Sequence, residues 1–363
     1  LDLILKNTIK SYKFSVSLEP QPADVFIISV PTPFKKNKVP DLKYLRKAVN
    51  SIAPVISQNN LIILESTSPV GTTEKVRDWL ARLRLDLNMP GTSNKPDIYI
   101  AHSPERVLPG KVFRELIEND RVIGGITPEC TGKAIRFYNS FISGKCHATS
   151  AKTAELIKLS ENAFRDTNIA FANEISIICE SLNVDVWEVI ELANMHPRVD
   201  ILNPGPGVGG HCIAVDPWFI VDSAPRLTPL IQSARKVNNT KTKTIIKKIR
   251  ANIRRENIKK IGFLGLSYKA NIDDLRESPS LQIAETIANK FDGKVLVCEP
   301  NIKRLPERLK KNKNTTLVSL KKCLDRSDLL ILLTDHTEFL DVPLNKFKGK
   351  KVIDTRGVWR FKE

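Results

Sequence analysis

Residues 203–218, NPGPGVGGHCIAVDPW, set four of the chain's 16 glycines, at 205, 207, 209 and 210, directly ahead of Cys212. A thiolate is the nucleophile that attacks an aldehyde carbonyl, and a nearby positive group helps to ionise it. Glycines let a backbone take positive φ and pass close to a ligand. Asp216 follows four residues later, near enough to share a site. The same segment, Gly205-x-Gly207-x-x-Gly210, also satisfies the dinucleotide fingerprint, which should follow a strand and open a helix. Here the glycines follow HPRVDILNP, with Pro204 and Pro206 inside the turn. The next stretch carries Pro217 and Pro225 and reads as a poor helix start, so Asp222 has no helix to place it as a ribose acid. These residues favour a bed for a thiol over a pyrophosphate loop. A buried, inert cysteine is the alternative for Cys212, and it is the reading for Cys130, Cys146, Cys179, Cys298 and Cys323.

Three regions must position these residues. Residues 1–150 contain the short apolar runs DVFIISV (24–30), LIILEST (61–67) and DIYIAHS (97–103), which read as buried parallel strands, with helical patterns near 41–52 and 73–84. Residues 151–256 are helical. The stretch 153–182 has no Gly or Pro and keeps an apolar stripe, a second helix covers about 229–256, and the glycine segment lies between them. Residues 257–363 return to strands at KIGFLGLS (260–267), KVLVCEP (294–300), DLLILLT (328–334) and KVIDTR (351–356). The expected fold is α/β: two Rossmann-like parallel-sheet domains joined by a helical centre with one long helix.

The 363 residues are 41% hydrophobic and 27% charged, as in a soluble globular protein, and carry a formal net charge of +17. The basic residues are spread through helical stretches such as 241–260 and 302–314. No RNA-recognition signature or zinc spacing goes with them, so nucleic acid is not an expected partner. No run approaches the length of a membrane span, and no signal peptide is visible. Six cysteines without a C-x-x-C pair point to a reducing cytoplasm.

Six segments, in order, carry a resemblance: SVPTPF (29–34), ESTSPVGTTE (65–74), SPERVLPG (103–110), KLSENAFRDTNIAFANE (158–174), GPGVGGHCIAVDPWF (205–219) and GLSYKANIDDLRESP (265–279). With these the chain resembles the nucleotide-sugar 6-dehydrogenase family, which includes UDP-glucose and GDP-mannose dehydrogenases. The resemblance implies NAD as cofactor, a UDP-sugar as substrate and a homodimer or higher homo-oligomer built around the long helix. It implies division into an NAD-binding domain (1–150), a central region (151–256) and a UDP-sugar-binding domain (257–363). It further implies a two-step oxidation of a C6 alcohol to a carboxylate, in which Cys212 captures the aldehyde as a thiohemiacetal that becomes a thioester. By the same resemblance Lys158 and Asn162 steady the oxyanion, Asp216 assists proton transfer, Glu105 acts near the hydrolytic water and Thr67 lies close to the reacting centre. Thr32, Glu65, Thr67 and Arg276 fall to the cofactor. Arg198, Gly209, Lys269 and Arg356 fall to the nucleotide-sugar, Arg198 reaching it across a subunit interface. An arginine fork suits phosphate oxygens.

His211 before the cysteine, with Val215 before the aspartate and DTRGVWR (354–360) near the end, points to the N-acetylhexosamine branch. The substrate implied is UDP-N-acetyl-D-mannosamine, with UDP-N-acetylglucosamine or UDP-glucose as alternatives and surface polysaccharide as the destination. At the amino end, family members begin with a strand and a G-x-G-x-x-G loop for the pyrophosphate. Only 23 residues, none of them glycine, precede DVFIISV. The expectation is that the first βαβ unit is absent and that NAD binds weakly, a remnant that binds nucleotide-sugar alone being the alternative to an active enzyme.

Overall fold

The apolar runs become strands because parallel strands covered on both faces need side chains that are apolar throughout. The computed structural model describes residues 2–11, 14–35, 37–107 and 112–360. The last three residues of SPERVLPG lie outside these. The chain divides into two compact units, residues 1–160 with 218–223, and residues 161–217 with 224–363.

In the first unit β1 (Val25–Ile28), β2 (Leu61–Leu64) and β3 (Tyr99–His102) pair in parallel, with α1 (Asp2–Lys10), α2 (Lys43–Ile52) and α3 (Thr72–Leu83) at or between them. The sequence Leu-Ile-Ile-Leu of β2 is buried on both faces. After α4 (Val112–Glu118) the sheet continues with β4 (Arg121–Gly125), α5 (Pro128–Tyr138) and β5 (Cys146–Ser150), in the order β1-β2-β3-β4-β5. The pairing of β3 with β4 is antiparallel, the one such pairing in an otherwise parallel set. The long helix α6 (Ala151–Leu182) then begins. Its Glu155 supplies a cap that α3 lacks. The Glu155 carboxylate, 1% exposed, accepts from Gly71 N at 2.5 Å, Thr73 N at 2.7 Å and Thr73 Oγ1 at 2.6 Å. This fixes the loop after β2 to the start of α6.

His102, the last residue of β3, is fully buried, and among the described residues neither ring nitrogen has a partner of normal hydrogen-bond geometry. Burial lowers its pKa from 6.5 to about 3. Between those values the unfolded chain binds the proton and the folded chain does not, so stability rises with pH across that window. Unfolding free energy is therefore expected to fall by up to about 4 kcal/mol as pH drops from 6.5 towards 3. A His102→Gln variant should flatten that slope in urea titrations at stepped pH, and an unchanged slope would refute the assignment.

The second unit holds the rest of α6, α7 (Val186–Ala193), the glycine segment, the first two residues of α8 (Asp216–Ser223), α9 (Pro229–Arg255) and a second sheet. That sheet comprises β6 (Lys260–Leu264), β7 (Lys294–Cys298), β8 (Thr315–Leu317), β9 (Leu329–Leu332) and β10 (Lys351–Asp354), all parallel in the order β10-β9-β6-β7-β8. The chain builds outward from β6 to β8 and then reverses to β9 and β10, which is the doubly wound order. Its switch point, between the carboxyl ends of β6 and β9, is where such sheets bind ligands. Helix α10 (Pro279–Ala288) packs on α9 over a core that includes Ile249, Ile261, Phe263, Leu281, Val297 and Ile331. Its N-cap Ser278 accepts from Leu281 N, while the same hydroxyl donates to the Leu266 carbonyl at 2.6 Å and so holds the β6 loop to the helix start.

One local expectation fails. Helix α8 does follow the glycine segment, beginning at Asp216 with Pro217 as its second residue. Proline is tolerated in a first helical turn because its missing N–H would have no intrahelical partner there. The fingerprint reading still fails, because residues 201–209 form no strand and five residues separate Gly210 from the helix.

Candidate active site

In the second unit the glycine segment lies against the switch point of the sheet, and a Cβ at any of its four glycines would meet a neighbouring residue. A Cβ on Gly205 would collide with the Arg356 guanidinium, and one on Gly209 would stand 2.6 Å from the Glu277 carbonyl and 2.8 Å from Tyr268. Gly210 has φ +83°, and its Cβ would lie 2.8 Å from the Tyr268 ring. The Gly210 N–H donates to the Arg276 carbonyl at 3.2 Å. The structure therefore brings Gly209 and the thiol segment together with Arg276, Arg356 and the loop of Tyr268 and Lys269. Gly210→Ala should lower kcat/KM for the substrate that the resemblance implies at least about tenfold, since an αL alanine alone costs roughly 1–2 kcal/mol. Steady-state kinetics on folded protein checks this, and wild-type kinetics would refute it.

Arg356, just past β10, forms a bidentate pair with Asp335 just past β9, Nε to Oδ1 at 3.1 Å and Nη2 to Oδ2 at 3.2 Å. Asp354 at the end of β10 accepts from Arg356 N and Gly357 N, both at 2.8 Å, which shapes the turn that presents the arginine. Lys269 is exposed on the β6 loop. Arg276 forks onto Asp274, with Nη2 to Oδ2 at 2.6 Å. His211, half exposed, has its pKa lowered by burial and by the Arg276 charge, against the pull of Asp274 at 4.0 Å. Arg198 lies exposed in the turn after α7, and its backbone N–H donates to His196 Nδ1 at 3.3 Å.

The acid side of the site is tighter. The carbonyl of Cys212 accepts from Asp216 N at 2.8 Å and Val215 N at 3.0 Å, so the cysteine begins the turn that starts α8. Asp216, 3% exposed, receives a hydrogen bond at 2.5 Å from Nδ2 of Asn162 on α6. Tyr268, which the sequence reading did not single out, has its pKa raised first by burial, then by Asp274 and by Cys212, and so stands within electrostatic reach of the thiol. Asp335 was also missed. The run Tyr268-Lys269 was the only signal for the tyrosine, and nothing local to Asp335 marks it.

In the first unit the other predicted residues gather at the carboxyl ends of β1–β3. Thr32 Oγ1 donates to the Thr67 carbonyl, and Ser66 Oγ accepts from Val30 N at 2.7 Å and donates to the Val30 carbonyl at 2.8 Å, which ties the two strand ends together. Glu65 has its pKa raised by burial and by Glu105, against Arg121. Glu105 accepts from Arg106 N at 2.6 Å and Val107 N at 2.8 Å and lies 3.6 Å from Nη2 of Arg121, whose side chain is 7% exposed. Arg121 was not anticipated. Lys158 is half-buried on α6 and forms no hydrogen bond or ion pair among the described residues.

Three profiles of the UDP-glucose/GDP-mannose dehydrogenase family match in order: the NAD binding domain over residues 1–142, the central domain over 152–240 and the UDP binding domain over 262–361. The NDP-N-acetyl-D-galactosaminuronic acid dehydrogenase of Ralstonia nicotianae is 51% identical over 363 residues, covering 100% of this chain and 85% of its own. The UDP-N-acetyl-D-mannosamine dehydrogenase of Escherichia coli is 49% identical over 366 residues, covering 98% and 87%. The solved UDP-N-acetyl-mannosamine dehydrogenase of Staphylococcus aureus superposes with a TM-score of 0.84 at 38% identity, covering 99% of this chain and 83% of its own. NAD is the cofactor. Thr32, Glu65 and Thr67 stand in the loops just past the carboxyl ends of β1 and β2, where parallel sheets bind ligands, and the Ser68 hydroxyl beyond β2 is buried without a hydrogen-bond partner among the described residues. The chain belongs to the UDP-glucose/GDP-mannose dehydrogenase family, the NAD-dependent nucleotide-sugar dehydrogenases.

Proposed function

We propose that this nucleotide-sugar 6-dehydrogenase oxidises UDP-N-acetyl-D-mannosamine to UDP-N-acetyl-D-mannosaminuronate, an acidic building block for surface polysaccharide. The observation that carries the chemistry is the packing of the Cys212 segment on the switch point of the second sheet, beside Tyr268 and Arg356. NAD, when bound, accepts a hydride in each of the two oxidations. Arg356, released from Asp335, holds a phosphate or sugar oxygen together with Lys269 and Arg198. The Cys212 thiolate adds to the C6 aldehyde to form a thiohemiacetal. Oxidation of that adduct leaves a thioester, and water cleaves it to the carboxylate and the free thiol. Asn162, fixed by Asp216, donates to the oxyanion, and Asp216 carries a proton to or from it. The roles of Lys158 at the oxyanion, Glu105 at the hydrolytic water and Thr67 near the reacting carbon rest on family resemblance, as do those of Thr32, Glu65 and Arg276 towards NAD. The division into residues 1–150 for NAD, 151–256 for the central region and 257–363 for the UDP-sugar belongs to the same reading.

The epimer is tested by NADH formation with a panel of nucleotide-sugars. UDP-N-acetyl-D-mannosamine should give the highest kcat/KM. A second reading, an N-acetylgalactosamine nucleotide, is favoured by the 51% identity to the Ralstonia enzyme and wins if that substrate is the better one. A higher kcat/KM with UDP-N-acetylglucosamine or UDP-glucose would overturn both readings, and UDP-sugar binding without any NADH would leave only a binding protein.

We also assign the chain to the cytoplasm, in keeping with six cysteines outside any disulfide, and to a homo-oligomer built on α6. Phe164, Phe171 and Ile178 recur every seven residues on that helix and are 70%, 50% and 45% exposed, the spacing of a helix seam awaiting a partner. Phe164→Glu with Phe171→Glu should yield a monomer in sedimentation runs. An unchanged oligomer would refute the seam.

A further inference from the structure

The nucleotide-sugar end of the glycine segment is held by a chain of buried polar groups that contains none of the residues placed at the reaction. The Gly205 N–H donates to Asn173 Oδ1 at 2.9 Å. Asn173 Nδ2 donates to Asn238 Oδ1 at 2.9 Å. Asn238 Nδ2 donates to Asp166, at 2.8 Å to Oδ1 and 3.0 Å to the carbonyl. Arg235 Nη1 closes the chain on Asp166 Oδ1 at 2.6 Å. All four side chains are buried: Asn173 at 0%, Asp166 and Asn238 at 1%, and Arg235 at 4%.

The chain has a direction. An ionised carboxylate only accepts, so Asp166 obliges Asn238 to turn its NH2 inward and its carbonyl outward. That carbonyl in turn orients the NH2 of Asn173, which leaves the Asn173 carbonyl facing the Gly205 N–H. Reversal of either amide would set donor against donor or acceptor against acceptor in a site without solvent, where each unmade bond carries its full desolvation cost. Gly205 is also the residue whose missing side chain makes room for the Arg356 guanidinium. Its neighbour Pro206 is held from the same helix as Asn238, through Thr242 Oγ1 to its carbonyl at 2.9 Å.

We infer that Asp166, Asn238 and Asn173 are positioning residues for nucleotide-sugar recognition. The carboxylate and backbone carbonyl of Asp166 together fix the orientation of two amides and through them the seat of Gly205 against Arg356. The inference rests on the reading that Arg356 holds the nucleotide-sugar. It distinguishes these residues from a merely structural cluster, which would change stability alone.

The test compares Asn238→Ala, Asn173→Ala and their double variant, with kinetics at saturating NAD and UDP binding by calorimetry. Both single variants leave the Asp166–Arg235 pair in place. Each should raise KM for the nucleotide-sugar and weaken UDP binding about tenfold, the scale of one buried hydrogen bond. KM for NAD should stay at the wild-type value. Because the residues act in series, the double variant should be no worse than Asn173→Ala alone. Lower stability with unchanged KM, or multiplied effects in the double variant, would overturn the inference. Absence of UDP-sugar binding in the wild-type protein would instead refute the functional reading beneath it.

Discussion

Replacing Cys212 by serine is expected to abolish the second oxidation. In the proposed mechanism the first step removes hydrogen from the C6 alcohol and needs no nucleophile from the chain. The proposed second step needs a covalent adduct, and a serine hydroxyl at neutral pH lacks the ionised fraction that makes a thiol effective. Acid formation should fall on the order of 10⁴-fold or more, the scale on which loss of a covalent nucleophile acts. The product should remain at the aldehyde level, and NADH formed per sugar should drop from two towards one. Mass spectrometry of products trapped with an amine and reductant would show the aldehyde. Acid released by the serine variant at a rate near wild type would remove Cys212 from its assigned role. UDP binding should be unchanged, because Gly205 to Gly210 make the contacts with Tyr268, Glu277 and Arg356.

Asp166→Ala is expected to cost about 3–5 kcal/mol of unfolding free energy, the range seen when one member of a buried ion pair is removed. Arg235 would keep a buried charge, with Asn239 Oδ1 at 3.1 Å as its remaining side-chain acceptor among the described residues. Asn238 would lose the carboxylate that orients it. Burial already raises the pKa of Asp166, with Arg235 opposing, so the pair stands together against desolvation. Urea denaturation measures the loss. A double replacement, Asp166→Leu with Arg235→Met, should recover much of it, since well-packed apolar residues substitute for a buried pair at little cost. A single variant that loses under about 1 kcal/mol would show the pair to be solvated in solution.

Much of the fold was legible because its signals are local. The strand runs LIIL at 61–64 and LLIL at 329–332 are apolar throughout, as strands covered on both faces must be. Helix α6 was legible over nearly its full length because 153–182 contains neither glycine nor proline. Strands β4 and β5 were missed. RVIGG ends in two glycines, and CHATS is mostly polar with exposed positions, so neither carries the apolar run that identifies a buried strand. Helix α8 was not legible because Pro217 reads as a breaker unless its place in the first turn is known, and only the structure supplies that place.

At the site, the amino-acid sequence by itself determined which chemistry was available: a thiol beside glycines, an aspartate one turn on, and arginines suited to phosphate. It could not determine which charge meets which. Arg356 finds Asp335 across 21 residues, Arg235 finds Asp166 across 69, and Asn173 reaches Gly205 across 32. Such pairings depend on which strands and helices lie side by side, and no local periodicity records that. The G-x-G-x-x-G pattern shows the same division. As a string it fits a dinucleotide loop. The tertiary structure gives it no strand before it and presses its glycines against Tyr268, Glu277 and Arg356, because only there does the backbone have to pass where a side chain cannot.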